Sequence, residues 1–351
     1  MKTLSIQTTF NFSEALLDWY EKHGRKDLPW QQSVTPYQVW VSEIMLQQTQ
    51  VNTVIPYYVR FMQRFPDIAA LATAKLDEVL AYWSGLGYYA RGRNLHKSAQ
   101  IIYHEFDSEL PADLEQLQRL PGIGRSTAGA IMALAFHQRQ AILDGNVKRV
   151  LSRFYAVNDW PGRPQVEKQL WQWAEALLPN KDLAKYTQAQ MDLGATLCTR
   201  SRPDCQRCPL QSHCLAYAQN TVSDYPRPRP KKTVPVKHVQ WLVVENTHQE
   251  ILLMKRPGTG IWGGLWCFPE FTDADMESVC QRLQIPISET LSLTPFQHIF
   301  SHFKLNIQPL KMTLAHALTV IADKPDRIWV KISAAEKLAL PAPVKALVRQ
   351  L

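Results

Sequence analysis

The 351-residue sequence predicts an all-α domain followed by a smaller α+β domain, and three observations carry that reading. Up to about residue 220, apolar side chains recur with helical period, interrupted by short turn signals. Between residues 226 and 237 the composition changes: Pro226, Pro228, Pro230 and Pro235 alternate with Arg227, Arg229, Lys231 and Lys232, which favours an extended, semi-rigid spacer. Beyond the spacer the period switches to the alternation of strands. The length agrees, at about 150 residues per domain.

The helical period places helices at residues 12–23, 37–49, 56–65, 76–84, 94–106, 113–120, 125–136, 146–156 and 165–177. The second has a complete start signal: Thr35 as N-cap, Pro36 at the first helical position and Gln38 three residues after the cap, which together make a capping box. After the spacer, residues 239–245 and 250–255 read as strands paired through a turn. A second strand group spans residues 300–312 and 316–321, with a helix at 273–283 between the groups.

Hydrophobic residues make up 46% of the chain and charged residues 20%, which excludes wholesale disorder. The longest apolar run, Ala128 to Phe136, is about half of the roughly 20 residues that a membrane span needs. The N-terminal stretch has no apolar core of signal-peptide length, so the expected location is the cytosol. In that setting six cysteines point to metal or thiol chemistry rather than disulfides. The net charge of +8 points to a polyanionic partner, and residues 226–237 alone hold five basic and no acidic side chains. The spacer is therefore itself expected to contact phosphate.

Cys198, Cys205, Cys208 and Cys214 are spaced C-x6-C-x2-C-x5-C. Four thiolates so close can surround one tetrahedral metal or one cubane cluster, and the spacing leaves zinc and iron–sulfur both open. Arg200, Arg202 and Arg207 lie in the same loop and present a small basic surface. Cys267 and Cys280 read as ordinary buried small hydrophobes.

Leu120-Pro121-Gly122-Ile123-Gly124 joins two predicted helices, with Arg119 and Arg125 beside it. Such a turn, opening a helix, exposes backbone N–H groups that can bind a phosphate oxygen without reading sequence. A second glycine turn, Gly85-Leu86-Gly87-Tyr88-Tyr89, precedes Arg91, Arg93 and Lys97. Aromatic side chains beside cations suit insertion into a base stack.

Two carboxylates stand out. Glu43 lies in a helix that is apolar nearly all round, so it must be paired or have a raised pKa, the second being what a general acid needs. Asp144, in Leu143-Asp144-Gly145-Asn146, reads as a helix N-cap or turn residue. One desolvated carboxylate and one that is solvated or capped could divide acid and anion-stabilising roles, as in glycoside hydrolysis.

Together these motifs resemble the helix-hairpin-helix DNA glycosylases, specifically the MutY-type adenine glycosylases. The resemblance rests on Trp40-Val41-Ser42-Glu43-Ile44-Met45-Leu46-Gln47-Gln48, the two glycine turns, Asp144-Gly145-Asn146-Val147 and the four cysteines, in the family's order. It implies a catalytic domain over residues 1–225, made of a six-helix part at about 30–137 and a cluster part at 1–29 and 138–225. The linker at 226–237 and a Nudix-like domain at 238–351 would follow. It also implies a 4Fe-4S cluster on Cys198, Cys205, Cys208 and Cys214, in place of the open choice of metal. The implied activity is removal of adenine mispaired with 8-oxoguanine or guanine in duplex DNA, by a monomer. Glu43, Asp144 and Asn146 would be catalytic, Trp30 and Gln188 would border the adenine pocket, and Gln48, Leu86, Tyr88, Arg91, Pro121, Gly122, Ile123, Gly124 and Arg125 would contact DNA. Position 126 is a lysine in endonuclease III-like relatives, where its amine attacks the sugar. Here it is Ser126, which implies hydrolysis without a Schiff base. Phe300, Ser301 and His302 resemble the family's 8-oxoguanine-recognition segment. The helix at 273–283 lacks the glutamate pattern with which Nudix hydrolases hold Mg ions, so pyrophosphatase activity is not expected.

Overall fold

The computed structural model describes residues 10–230, 233–271, 276–300, 302–314 and 326–351. They form two compact units: residues up to Ala72 together with 97–230, and residues 73–96 together with 233–351.

Helices α1 (Phe12–His23), α2 (Pro36–Leu46), α3 (Val51–Arg64) and α4 (Ile68–Thr73) open the chain. Then come α5 (Leu76–Trp83), α6 (Ala90–Glu105), α7 (Leu114–Arg119), α8 (Arg125–Ala135), α9 (Gly145–Phe154), α10 (Pro164–Ala176), α11 (Leu183–Thr196) and α12 (Leu215–Ala218). Local capping sets many of the starts. The side chains of Asn11, Thr35, Asp113 and Asp144 each accept a backbone N–H three residues on, which satisfies one of the donors a helix N-terminus leaves free.

Three expectations are corrected here. The capping box forms by half: Thr35 Oγ1 accepts from Gln38 N at 3.2 Å, but Gln38 Oε1 is buried without a partner among the described residues. Helix α3 begins at Val51 and not at Pro56, because Gln50 O accepts from both Thr53 N and Val54 N and the proline is absorbed in the helix interior. Helix α11 has no counterpart in the apolar period, because its buried side includes Thr187, Gln188, Gln190 and Asp192.

In the first unit α11 packs on α1, α8 and α9, and α2 packs on α3 and α8. Leu16 and Trp19 of α1, Val147 and Leu151 of α9, Leu170 of α10 and Leu193 of α11 share one core. Burial of side chains of this size contributes about 1.5–3 kcal/mol each. Two glycines permit close approaches. A Cβ at Gly129 of α8 would stand 2.3 Å from Ala141 O, and one at Gly194 of α11 would stand 2.5 Å from Asn146 Cβ. These contacts seat the loop before α9 between two helices.

The second unit contains β1 (Val236–Glu245), β2 (Glu250–Lys255), β3 (Trp266–Cys267), β4 (Glu270–Phe271), α13 (Met276–Leu283), β5 (Thr290–Ser292), β6 (Phe296–Ile299), β7 (Lys304–Thr313), β8 (Arg327–Lys331), α14 (Ile332–Ala335) and α15 (Ala342–Val348). The expected hairpin is present as β1 and β2, with Glu245 opposite Ile251. Strand β7 lies parallel to β1 from Val236↔Lys304 to Glu245↔Thr313. Trp241, Val243 and Ile307 bury one face of the sheet with Val344 and Leu347 of α15, and Leu242, Val244 and Met312 bury the other with Val279 and Leu283 of α13. Cys267 and Cys280 are both buried in these cores. Within this unit Lys255 pairs with Asp77, Arg93 Nη1 donates to Gly263 O at 2.7 Å, and Tyr89 Oη donates to Leu340 O at 2.9 Å. The expected strand at 316–321 and the first residues of the expected helix at 273–283 lie outside the described residues.

Candidate active site

Helix α2 buries Val39, Trp40, Val41, Ile44 and Met45, and leaves Glu43 half-buried among them. Burial, reinforced by the negative charge of Asp144, pushes the Glu43 carboxyl up to about 8. The carboxyl is therefore mostly protonated at neutral pH, the state a general acid requires.

Asp144 caps α9, with Oδ1 accepting from Val147 N at 2.8 Å and Oδ2 from Asn146 Nδ2 at 3.0 Å. The expectation of a capped carboxylate holds, and Asp144 is half-buried. Burial raises its pKa above the usual range, while the Val147 and Asn146 donors and the Arg149 charge act in the opposite direction. Those donors all favour the anion, whereas nothing comparable supports an anionic Glu43. The two carboxyls therefore differ in environment: donors to the anion offset burial at Asp144, whereas burial and the Asp144 charge both raise Glu43.

Arg149, which sequence reasoning missed, bridges this site to the cysteine loop. Its Nη2 donates to Asn146 Oδ1 and to Gly194 O, each at 2.8 Å, and its Nε donates to Cys198 O at 2.8 Å. Ser126, in the first turn of α8, accepts Leu143 N at 3.0 Å. The oxygen at the lyase position is thus committed to the backbone beside Asp144.

Trp30 is buried, with its ring edge-on to Tyr58 at 5.3 Å. Gln188 of α11 is buried as well and donates Nε2 to Asp192 Oδ1 at 2.9 Å. Asp192, unforeseen because an acid in an unrecognised helix gives no local signal, is held by Arg25 through Nε, Nη2 and the backbone N.

The turn between α7 and α8 places Gly122 at φ +83°. Gly122, Gly124 and Arg125 are exposed, Pro121 is half-buried and Ile123 is buried. The α8 N-terminus therefore presents backbone N–H groups outward, as an anion site requires. Arg125 pairs with Glu175 and stacks on Trp171 at 3.9 Å. Gln48 is exposed at φ +58°, and Tyr88 is 55% exposed at φ +49°. Left-handed backbone at non-glycine residues costs energy and concentrates at functional positions. Two neighbours of Tyr88 lie deeper. Leu86 is 5% exposed and packs inside its turn, and Arg91 is buried against Trp83 and Tyr88 and donates to Gly87 O.

Cys198, Cys205, Cys208 and Cys214 are free thiols and line one apolar recess with Phe154, Leu197 and Leu210. Burial pushes the Cys208 thiol up to about 12, with Cys205 and Cys214 also raised. Arg153, 2% exposed, donates to Cys198 Sγ, Thr199 O, Arg200 O, Val222 O and Tyr225 O and so gathers the loop. Among the described residues, no three Cys, His, Asp or Glu side chains close round a single metal ion. Four cysteine side chains round one recess are a donor set that a tetrahedral metal and an iron–sulfur cluster both use.

In the second unit Phe300 is half-buried, stacked on Phe303 at 4.4 Å and tilted against Trp262 at 5.2 Å. His302 is exposed, and Ser301 lies outside the described residues. No helix among the described residues is long and apolar enough to cross a membrane.

The chain matches the HhH-GPD superfamily base excision DNA repair proteins over residues 41–176 and the NUDIX domain over residues 240–350. It is 40% identical to the adenine DNA glycosylase of Buchnera aphidicola subsp. Acyrthosiphon pisum, over 96% of this chain and 97% of that protein. Identity to the adenine DNA glycosylase of Rattus norvegicus is 36%, over 96% of this chain and 77% of that protein. A solved thermostable thymine-DNA glycosylase covers 59% of this chain at 25% identity with a TM-score of 0.54. An endonuclease III–DNA complex covers the same share at 19% identity with a TM-score of 0.51 and shares the fold.

Proposed function

The chain belongs to the adenine DNA glycosylases, and on that premise we propose that it hydrolyses the N-glycosidic bond of adenine mispaired with 8-oxoguanine or guanine in duplex DNA. The observation that carries the reading is the pairing of Glu43, its pKa raised to about 8, with a hydrogen-bonded Asp144.

A base buried in a duplex is inaccessible and must be flipped out, at a cost of a few kcal/mol that a mispair lowers. Exposed Gln48 and Tyr88 enter the duplex beside the lesion, and the backbone N–H groups of Gly122, Gly124 and Arg125 hold a phosphate. Trp30 and Gln188 border the base pocket. Glu43 gives its proton to adenine N7, and the C1′–N9 bond breaks with its electron pair leaving on the base. Asp144, oriented by Asn146, stabilises the cationic sugar or bonds to it briefly. Water then adds its oxygen to C1′ and returns a proton to the Glu43 carboxylate, which restores the resting state. The Ser126 hydroxyl offers no amine for a Schiff base, so the reaction stops at hydrolysis.

Cys198, Cys205, Cys208 and Cys214 would hold a 4Fe-4S cluster, which would cross-link the loop after α11 and neutralise its thiolates. Phe300, Ser301 and His302 would meet the 8-oxoguanine partner. We place the domain limits at 1–225 and 238–351, with the basic linker between them, and the protein inside the cell as a monomer on DNA.

The test is free adenine released from otherwise identical A:8-oxoguanine, A:G and A:T duplexes. Release from the first two and not the third is expected. Equal release from all three would refute the mispair requirement, and substantial release by Glu43→Gln would remove Glu43 from its role as acid.

A further inference from the structure

We infer that Glu175 is an internal competitor for DNA phosphate: it holds the Arg125 guanidinium until a backbone phosphate reaches the turn before α8 and takes its place. The inference rests on the duplex-binding part of the reading above and adds a residue that sets how tightly that turn holds DNA.

Arg125 is the first residue of α8, and the N-cap before it, Gly124, has no side chain to satisfy the N–H groups of that first turn. Trp171 and Glu175 lie one turn apart on α10, where i and i+4 side chains meet. Together they clamp one guanidinium: its carbon lies 3.9 Å from the centre of the Trp171 ring, and its Nη2 pairs with Glu175 Oε1. The two contacts differ in kind. The ring takes the flat face of the guanidinium and fixes where it lies, whereas the N–H edge is what an anion meets. The ion pair therefore decides only which anion that edge holds.

The pair is built to exchange. Its side chains are 48% and 50% exposed, and pairs so open to water contribute little to folding. Glu175 also stands in the last turn of α10, the end of a helix whose dipole disfavours an anion. Its carboxylate is drawn instead to a residue at the positive end of α8, the end whose N–H groups suit a phosphate. A DNA phosphate offers the guanidinium the same kind of paired oxygens and gains the backbone N–H groups of the turn besides. Glu175 has only the first of these contacts, so the phosphate wins the exchange. A recess of about 290 Å³, lined by Arg125, Arg139, Trp171 and Glu175, gives the displaced carboxylate room and a second cation.

The experiment measures binding of the full chain to an undamaged A:T duplex between about 50 and 200 mM salt, since a backbone contact reads no sequence. Glu175→Gln removes the competing charge. Affinity should rise by about three- to tenfold at the low-salt end, and the salt slope should steepen by up to about 0.9, the increment of one phosphate contact. Glu175→Ala, which leaves Arg125 no acceptor at this position, should do the same. In an Arg125→Met background, Glu175→Gln should raise affinity by about twofold at most, the share that general charge repulsion contributes. Unchanged affinity and slope in both Glu175 variants would overturn the inference. A gain just as large in the Arg125→Met background would overturn it too, because Glu175 would then repel DNA without acting through Arg125. A wild-type chain that shows no salt-dependent duplex binding would overturn the duplex reading and this inference with it. Salt-dependent binding by the wild type that neither Glu175 variant alters overturns this inference alone.

Discussion

Asn146 donates its amide to Asp144 Oδ2 at 3.0 Å while its own Oδ1 accepts from Arg149 at 2.8 Å. Asp144 thus has a neighbour whose orientation is itself imposed, and Arg149 imposes it while holding Cys198 O at 2.8 Å. Replacing Arg149 with Met removes the donors to Asn146, Gly194 and Cys198 together. Stability should drop by roughly 1.5–3 kcal/mol, the range for a hydrogen bond to a charged group. Adenine release should fall more than duplex binding does, as thermal unfolding and paired single-turnover and binding measurements would show.

The protonation of Glu43 sets the pH dependence. Its pKa rises from 4.5 unfolded to about 8 folded, so catalysis that needs the acid form should decline as pH rises through about 8. Stability follows the same sign: the folded state favours the protonated form, its advantage is complete below 4.5, and it is lost as pH rises toward 8. Glu43→Gln, which has no proton to lose, should match the wild type near pH 4 and exceed it in thermal stability above about pH 8. An inactive variant of unchanged pH-stability profile would mean that Glu43 is not held protonated.

Ser126 has a structural duty as well as a negative chemical one. Ser126→Ala leaves Leu143 N without its acceptor, which should cost about 1 kcal/mol and slow adenine release by displacing the loop to Asp144. Borohydride added during turnover should trap little of the wild type with DNA. Efficient trapping would reveal another amine acting as nucleophile.

Arg153 gathers the cysteine loop through four carbonyl oxygens and Cys198 Sγ. Arg153→Met keeps the volume and removes those donors. The variant should be purified with less iron per chain and weaker visible absorbance than the wild type, and a full iron complement would show that the cysteines organise the loop unaided.

His302 is exposed beside the Phe300 and Phe303 rings. His302→Ala should lower the preference for A:8-oxoguanine over A:G by about tenfold while leaving A:G turnover unchanged. A parallel loss on both duplexes would assign His302 to general DNA binding.

The sequence by itself determined what rests on neighbours along the chain. Helix α1 runs over the residues its period predicts, Phe12–His23, and Thr35, Asp113 and Asp144 cap their helices because a cap bond reaches only three residues ahead. The cysteine spacing likewise lay open in the sequence, since the four cysteines share one short loop. What tertiary structure decided is everything that depends on residues far apart. Asp144 is half-buried, in a segment where Gly129 lets α8 approach Ala141 and Gly194 lets α11 approach Asn146. Helix α11 escaped the apolar period because its buried polar side chains find partners on other segments, as Asp192 finds Arg25 167 positions away. Arg91 and Arg125, expected to contact DNA, find partners in the folded chain at Gly87 O and Glu175, and β7 joins β1 in parallel across some sixty residues of chain. Burial and charge pairing are properties of a folded neighbourhood, and a local pattern of residue types does not contain them.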